Sequence, residues 1–429
     1  MPIFGVFSVA APLSLPWLDR HDMPEQSFPE NLEEILRERF CSRPVEVSPG
    51  LFVRCGSRRR SQCPACASIW AGDSARLGRS GIEDADGRPV VGCRYVFLTL
   101  TAPSFGRAHH VPKWERDEGK RCGCGTVHRR DDVAWRGLPL DPDSYDYAGQ
   151  VRWHQSLGRL WNATVARLRR VDPDMEFFRV FESQARGALH AHAIVRVPSF
   201  STATAAELLD AARSASTVRE GVIDGATGEV LTESYSWGQK DCDAREVKAR
   251  HQDAAGVLPD ESGSLLRVLG YTLKTVISYS LKDLAFGGSM DDITPERIVF
   301  MQRLTAAGRW ERCPRCPEEG AADCKSPGHR QIGFSGHVLS MSRRRTKRVE
   351  VAPGVMDTVV LRPGWSFANL TRRRLREERR AWMDANLPAD VGSGLDASQV
   401  QLMEWLNERR TARWAEQSTA YARTVTAAD

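Results

Sequence analysis

The chain has 429 residues, 41% of them hydrophobic and 27% charged, with a formal net charge of +5. That length allows roughly two to three domains at ~150 residues each, and the composition is that of a globular chain with a buried core, which excludes a disordered or fibrous class. No apolar run is long enough to cross a bilayer, so no membrane partner is expected.

The apolar start, Met1-Pro-Ile-Phe-Gly-Val-Phe, has no basic n-region and reads as an arm rather than a signal peptide. Eleven clustered cysteines, an odd number, then point to metal binding in a reducing, cytoplasmic compartment rather than to disulfides. Residues 1–50 are Pro-rich, with one short helical pattern near Glu30 to Phe40. Next, Cys55-x7-Cys63-x2-Cys66 offers three thiolates, and Arg58, Arg59 and Arg60 between them are candidate phosphate contacts. Tyr95 to Thr101 is a β-type run closed by Ala102-Pro103. A loop with Cys122-Gly-Cys124, and His128 close by, completes the first cysteine set if the two loops meet.

From Tyr147 to Arg170 apolar residues recur at helical spacing (Val151, Leu157, Leu160, Trp161, Val165, Leu168), and Asp172-Pro173 ends the pattern. Phe177 to Glu182 and Ala188 to Val197 predict two strands joined by Ser183-Gln-Ala-Arg-Gly187. Helices are expected over Ala203 to Ser216 and Leu265 to Phe286, the latter stopped by Gly287-Gly288. Cys313-x2-Cys316-x7-Cys324-x4-His329 then places a full Cys3His set, suited to structural Zn²⁺, in seventeen residues.

Positive charge concentrates in Arg343-Arg344-Arg345-Thr-Lys-Arg348 and in Arg372 to Arg380, although Glu377 and Glu378 can neutralise part of the second block. Two helices are expected around Arg372 and Trp405, with Asp390-Val-Gly-Ser-Gly394 linking them. The expected organisation is an arm over 1–50, a catalytic domain with a cysteine-rich insertion over 51–300, a second zinc cluster and basic region over 301–389, and a C-terminal helix over 390–429.

His190 and His192 lie two apart on one predicted strand and therefore share a face. If the hairpin turns about residue 186, Glu182 lies opposite His190 and all three converge. Two imidazoles and a carboxylate suit a catalytic divalent metal, Mg²⁺ or Mn²⁺ for phosphate chemistry, with imidazole favouring Mn²⁺. On the Leu265 helix, Tyr271 with Lys274 and Tyr279 with Lys282 are each three apart and share a helical face. A tyrosine phenolate can attack phosphorus, and a nearby ammonium can lower its pKa or pair with phosphate.

An HxH strand followed by a tyrosine-bearing helix resembles the HUH endonucleases. More narrowly, the chain resembles the RepSA-type replication initiators of actinobacterial rolling-circle plasmids. The resemblance rests on ordered stretches: Arg54 to Cys66, Phe97 to Gly106, Cys122-Gly-Cys124, Pro139 to Ala148, Arg186 to His192, Trp237-Gly-Gln-Lys-Asp241 and Gly333 to Leu339. It implies an α+β fold with a central antiparallel HUH sheet flanked by helices, zinc-binding loops and a helical basic C-terminal region. It also implies a reaction: binding of the plasmid's double-strand origin, nicking of one strand, a tyrosine joined to the 5′ phosphate and a free 3′ hydroxyl that primes synthesis. Double- and single-stranded origin DNA, a host helicase and a polymerase are the partners it implies.

The family pattern is a compact YxxKYxxK, whereas here the tyrosines are eight apart. The second tyrosine of the pattern corresponds best to Tyr279 with Lys282, and Tyr271 is the alternative nucleophile. Eight residues turn a helix by ~80° and advance it ~12 Å, so a single nucleophile is expected. The competing classes are a zinc-containing DNA-binding regulator without nicking activity, an HUH transposase or relaxase, and a small-molecule metallohydrolase. The last gains nothing from the cysteine clusters or basic blocks.

Overall fold

The computed structural model describes residues 36–38, 40–247, 294–386 and 408, apart from 50, 59, 61, 85, 87, 89, 113–114, 225–226, 318–319 and 353–354. The Leu265 to Phe286 segment with Tyr271, Tyr279 and Lys282, the Asp390 to Gly394 linker and the Trp405 segment lie outside the described residues. In chain order, strands β1 (Val45–Ser48) and β2 (Leu51–Val53) form a ladder, followed by helix α1 (Pro64–Arg79). Strand β3 (Cys93–Leu100), helix α2 (Tyr147–Val171), β4 (Glu176–Ser183) and β5 (Leu189–Pro198) come next. Then come α3 (Ala205–Arg213), the hairpin β6 (Ser216–Ile223) and β7 (Val230–Ser236), and β8 (Asp243–Val247). After 294 the elements are α4 (Pro295–Trp310), β9 (Leu339–Met341), the hairpin β10 (Arg345–Ala352) and β11 (Val355–Arg362), and α5 (Arg372–Asn386).

The chain divides into two compact units, residues 74–369 and residues 1–73 with 370–429. The larger unit is α+β and holds a five-stranded antiparallel sheet in the order β8-β3-β5-β4-β9. Strand β5 sits at the centre, and β9 pairs with β4, so residues beyond 300 complete the sheet that carries the histidines.

Period-two alternation sorts the side chains of β3, β4 and β5. Val96, Leu98, Leu100, Phe177, Phe181, Ala191, Ala193 and Val195 join the core with Leu157, Leu160, Trp161 and Leu168 of α2. The α2 helix forms where its pattern and caps require: Asp146 accepts the Gly149 N–H at 2.7 Å, and Asp172 closes the C-terminus. Buried Arg152 anchors it, reaching Glu233 at 2.9 Å and Glu311 at 3.4 Å. A charge this buried needs such partners, because an unpaired one would be strongly destabilising.

The opposite sheet face is partly roofed. Buried Arg196 donates to the carbonyls of Gly81 (2.8 Å), Trp365 (2.8 Å) and Gly364 (2.7 Å). Trp365 packs on Phe178, and its Nε1–H donates to the Gly78 carbonyl at 3.0 Å. Gly81 has to be glycine, since a Cβ there would lie 2.1 Å from the Trp365 ring. The roof covers the Glu176 and Arg196 end of the face, where the Gly364 N–H also donates to Glu176.

In the smaller unit, Trp70 lies between two guanidiniums, Arg58 at 5.6 Å and Arg372 at 4.8 Å, and Arg379 pairs with Asp73. Burial pushes the Arg372 guanidinium down to about 10. The Arg372 block is a helix, as expected, with Glu377 and Glu378 pairing Arg373 and Arg374 at 2.7 and 3.3 Å.

One buried group gives the larger unit a pH dependence. His154 Nδ1–H donates to the Ile332 carbonyl at 2.6 Å, and its Nε2 accepts the Leu189 N–H at 3.1 Å, a pattern only the neutral ring satisfies. Burial pushes its pKa down to about 4 from 6.5. Between those values the unfolded chain binds the extra proton, so stability is full above pH 6.5 and is lost as pH falls toward 4, by at most about 3 kcal/mol. Denaturant unfolding across that range should show the loss, and His154→Gln should flatten it; equal slopes in both proteins would contradict this reading.

Candidate metal centres

The β4–β5 register sets the first centre. Glu182 pairs directly with His190, and His192 follows two residues on along the same face. Glu182 Oε2 lies 3.2 Å from His190 Nε2 and 3.0 Å from His192 Nε2. The His190 and Glu182 side chains keep about 15% exposure, while His192 is more deeply buried. Neither Glu182 Oε2 nor His190 Nε2 makes a well-angled hydrogen bond within the site, which is the arrangement of ligands aimed at a common point. Burial pushes the Glu182 carboxyl up, but the two imidazoles outweigh it and hold the group at about 2. The carboxylate is therefore ionised and able to accept a cation.

The neighbouring strand orients His192. With Nε2 turned to the site, its Nδ1–H faces Thr99 Oγ1 at 3.1 Å, and the ring stacks on Phe97 at 5.3 Å. Thr99 is the cross-strand partner of His192 on β3. A metal-ligating histidine held through its other nitrogen is the usual means of fixing tautomer and direction.

Three further groups gather metal-ligating atoms within 4.8 Å of one another: Cys41, Cys55, Cys63 and Cys66; His109, Cys122, Cys124 and His128; and Cys313, Cys316, Cys324 and His329. Four ligands held at zinc's ~2.0–2.3 Å lie about 3.3–3.8 Å apart around a tetrahedron. Observed separations match that scale. Cys41 Sγ is 3.9 Å from Cys63 Sγ and 3.7 Å from Cys66 Sγ, and Cys313 Sγ is 3.7 Å from Cys324 Sγ and 3.8 Å from Cys316 Sγ. Backbone N–H groups of Ser42, Cys55 and Ser57 point at sulfurs of the first group, an arrangement that stabilises thiolates. In the third group His329 Nε2 lies 3.3 Å from Cys316 Sγ, while its Nδ1–H donates to the Gly308 carbonyl at 3.1 Å. Thiol-to-thiol contacts drive Cys41 to about 6 by way of Cys55, and push Cys55 far up by way of Cys41. Crowded thiols of this kind share charge poorly, and a cation would relieve the competition.

This grouping corrects the sequence expectation in one respect. Cys122 and Cys124 do not complete the Cys55, Cys63 and Cys66 set; Cys41 does, and the Cys122 pair joins His109 and His128 instead. Cys41 lies fourteen residues ahead of Cys55, and His109 thirteen ahead of Cys122, in segments without ligand-like spacing. Outside these groups, Cys242 Sγ is bonded between the Thr101 N–H and the Gly238 carbonyl.

Among the expected DNA contacts, Arg58 sits over Trp70, and Arg60, though exposed, pairs with Glu38. Arg59 lies outside the described residues, while Arg343, Arg344 and Arg345 are exposed where β10 begins.

The fold and its sites define the class: an α+β protein whose sheet and loops can bind metals such as zinc, with no helix among the described residues long and apolar enough to cross a membrane. Residues 36–350 match the family described as RepSA, replication initiator protein, pSAM2, and the chain belongs to that family. It is also 38% identical over 336 residues to a replication initiator protein of Streptomyces ambofaciens, covering 70% of this chain and 68% of that one. No solved structure matches.

The Thr99 contact is open to test. Thr99→Val keeps the shape and removes the hydroxyl, so Mn²⁺ affinity at Glu182, His190 and His192 should drop about tenfold with the fold intact. A titration followed by electron paramagnetic resonance checks this; unchanged affinity would remove Thr99 from the site.

Proposed function

We propose that this protein initiates rolling-circle replication of a plasmid by nicking one strand at the double-strand origin. The observation that carries the reading is the convergence of Glu182, His190 and His192 on one face of a central strand, in a chain of the replication initiator family. The same donor set holds ferrous iron in oxygenases, so it does not choose the ion by itself. Phosphate chemistry favours a redox-inert Mg²⁺ or Mn²⁺, and two imidazoles favour Mn²⁺. Bound there, the ion would polarise the scissile phosphate and offset charge on its oxygens.

The chain's own part is as follows. The phenolate of Tyr279 attacks phosphorus, the bond from phosphorus to the 3′ oxygen breaks, and that oxygen takes up a proton to become the primer's 3′ hydroxyl. Tyr279 is left joined to the 5′ phosphate. Lys282, three residues along the chain, lowers the phenol's pKa or pairs with the phosphate. Tyr271 is the alternative nucleophile. Zn²⁺ in the Cys41 and Cys313 groups would hold their loops, and the exposed Arg343, Arg344 and Arg345 with Arg58, Arg59 and Arg60 would contact DNA phosphates, giving a steep salt dependence. A host helicase and polymerase would act on the nicked origin in the cytoplasm.

A zinc-containing DNA-binding regulator without nicking activity accounts for the cysteine groups and the arginines. It leaves the half-buried, ionised Glu182 and its two imidazoles without a task, so it ranks second.

Incubation of supercoiled origin plasmid with the protein and Mn²⁺ should give relaxed circles carrying covalently bound protein. Tyr279→Phe should abolish both products while Tyr271→Phe keeps them, and chelation should stop the reaction. Activity that survives chelation, or an adduct that persists in Tyr279→Phe, would refute the assignment.

A further inference from the structure

We infer that His109, Cys122, Cys124 and His128 form a separate Cys2His2 zinc site, and that its metal braces the hairpin turn between Glu182 and His190. The ligand atoms stand at zinc-like separations: His109 Nδ1 is 3.1 Å from His128 Nε2, Cys124 Sγ is 3.4 Å from His128 Nε2, and Cys122 Sγ is 3.7 Å from His109 Nδ1. The surroundings are those of a metal knuckle. Cys122-Gly-Cys124-Gly125 turns tightly, with the Gly125 N–H donating to the Cys122 carbonyl at 2.9 Å and Gly125 at φ +93°. The His110 N–H points at Cys122 Sγ at 3.3 Å, and His128 Nδ1 lies 3.4 Å from Asp132 Oδ2, which orients the ring from behind. Cys122 and His128 are buried, yet the loop carrying them offers little apolar core of its own. A closed tetrahedral ion supplies the cross-link such a loop needs.

The brace runs through backbone. The His109 N–H donates to the Leu138 carbonyl and the Leu140 N–H to the Arg107 carbonyl, both at 2.8 Å, so the knuckle and residues 138–140 move as one. Next to them, Gly137, at φ +73°, passes so close to the turn that a Cβ would lie 2.8 Å from the Arg186 nitrogen and 2.9 Å from the Ala185 carbonyl carbon. Arg297 of α4 fastens the two together. Its guanidinium donates to the carbonyls of Ala134 (3.0 Å) and Arg136 (2.6 Å) on the knuckle side and of Ala185 (2.9 Å) on the turn. Within the turn the Gln184 N–H bonds the Ala188 carbonyl and the Gly187 N–H bonds the Gln184 carbonyl, both at 2.8 Å. Glu182 and His190 flank that turn, so its rigidity is the rigidity of their separation. Arg297 is thus a positioning residue, acting through the turn.

The zinc site stands whether or not the chain nicks DNA; only the consequence for catalysis rests on the proposed function. The test counts zinc by plasma mass spectrometry and follows hydrogen exchange at residues 184–189. Replacing Cys122→Ser and Cys124→Ser together should remove one zinc equivalent relative to the unaltered protein and speed exchange in the turn about tenfold. Since Cys124 is exposed, Cys124→Ser alone provides a gentler variant with the same expected direction. Arg297→Ala should keep the full zinc content and still speed exchange in the turn. Unchanged zinc in both cysteine variants would overturn the site, and slow exchange in Arg297→Ala would overturn the brace.

Discussion

The proposed catalytic centre depends on one antiparallel register. Strand β4 pairs with β5 so that Glu182 faces His190, and the two-residue period of a strand then delivers His192 to the same face. A slip of one residue would turn both imidazoles into the α2 core and bring Leu189 and Ala191 out in their place. The pairing is protected on three sides: by burial of the alternate residues against α2, by β3, whose Thr99 holds His192, and by His154, which accepts the Leu189 N–H where β5 begins. The centre is therefore preformed by the core rather than assembled by a flexible loop.

The two sheet faces divide the work. The α2 side is closed with aromatic and aliphatic side chains and buries even Arg179, which donates to the His337 and Val338 carbonyls and sits over Phe181 at 3.6 Å; burial pushes it down to about 9. The other side is roofed at one end by Trp365 on Phe178 and by the bonds of Arg196 to Gly81, Gly364 and Trp365. Past the apolar middle of that face, formed by Phe178, Val180 and Ile194, lie the carboxylate and imidazoles. An ion held by Glu182, His190 and His192 would keep further positions for a phosphate oxygen, as metal-assisted phosphoryl chemistry requires.

Much of this was legible in the sequence, for physical reasons. The residue types over Phe177 to Val197 gave both strands and the shared face of the histidines, and Asp172-Pro173 closed a helix whose 3.6-residue pattern was plain. The C-x2-C spacing of Cys313 and Cys316 marks a ligand turn in the sequence itself. The division of the other cysteines was not legible, because Cys41 and His109 reach their groups through loops whose closure is a tertiary matter. The hairpins β6–β7 and β10–β11 were not legible either. In β10–β11 nearly every residue is exposed, apolar ones included, and in β6–β7 only Val222 and Tyr235 are buried, so neither hairpin writes a clear burial pattern into the sequence.

The central claim is that one divalent ion sits among Glu182, His190 and His192. Crystals of the protein grown with Mn²⁺, and diffraction data collected at the manganese absorption edge, test it most directly. The expected result is a single anomalous peak about 2.2 Å from Glu182 Oε2, His190 Nε2 and His192 Nε2, distinct from any zinc signal at the cysteine groups. Well-ordered side chains with no manganese peak between them would contradict the account.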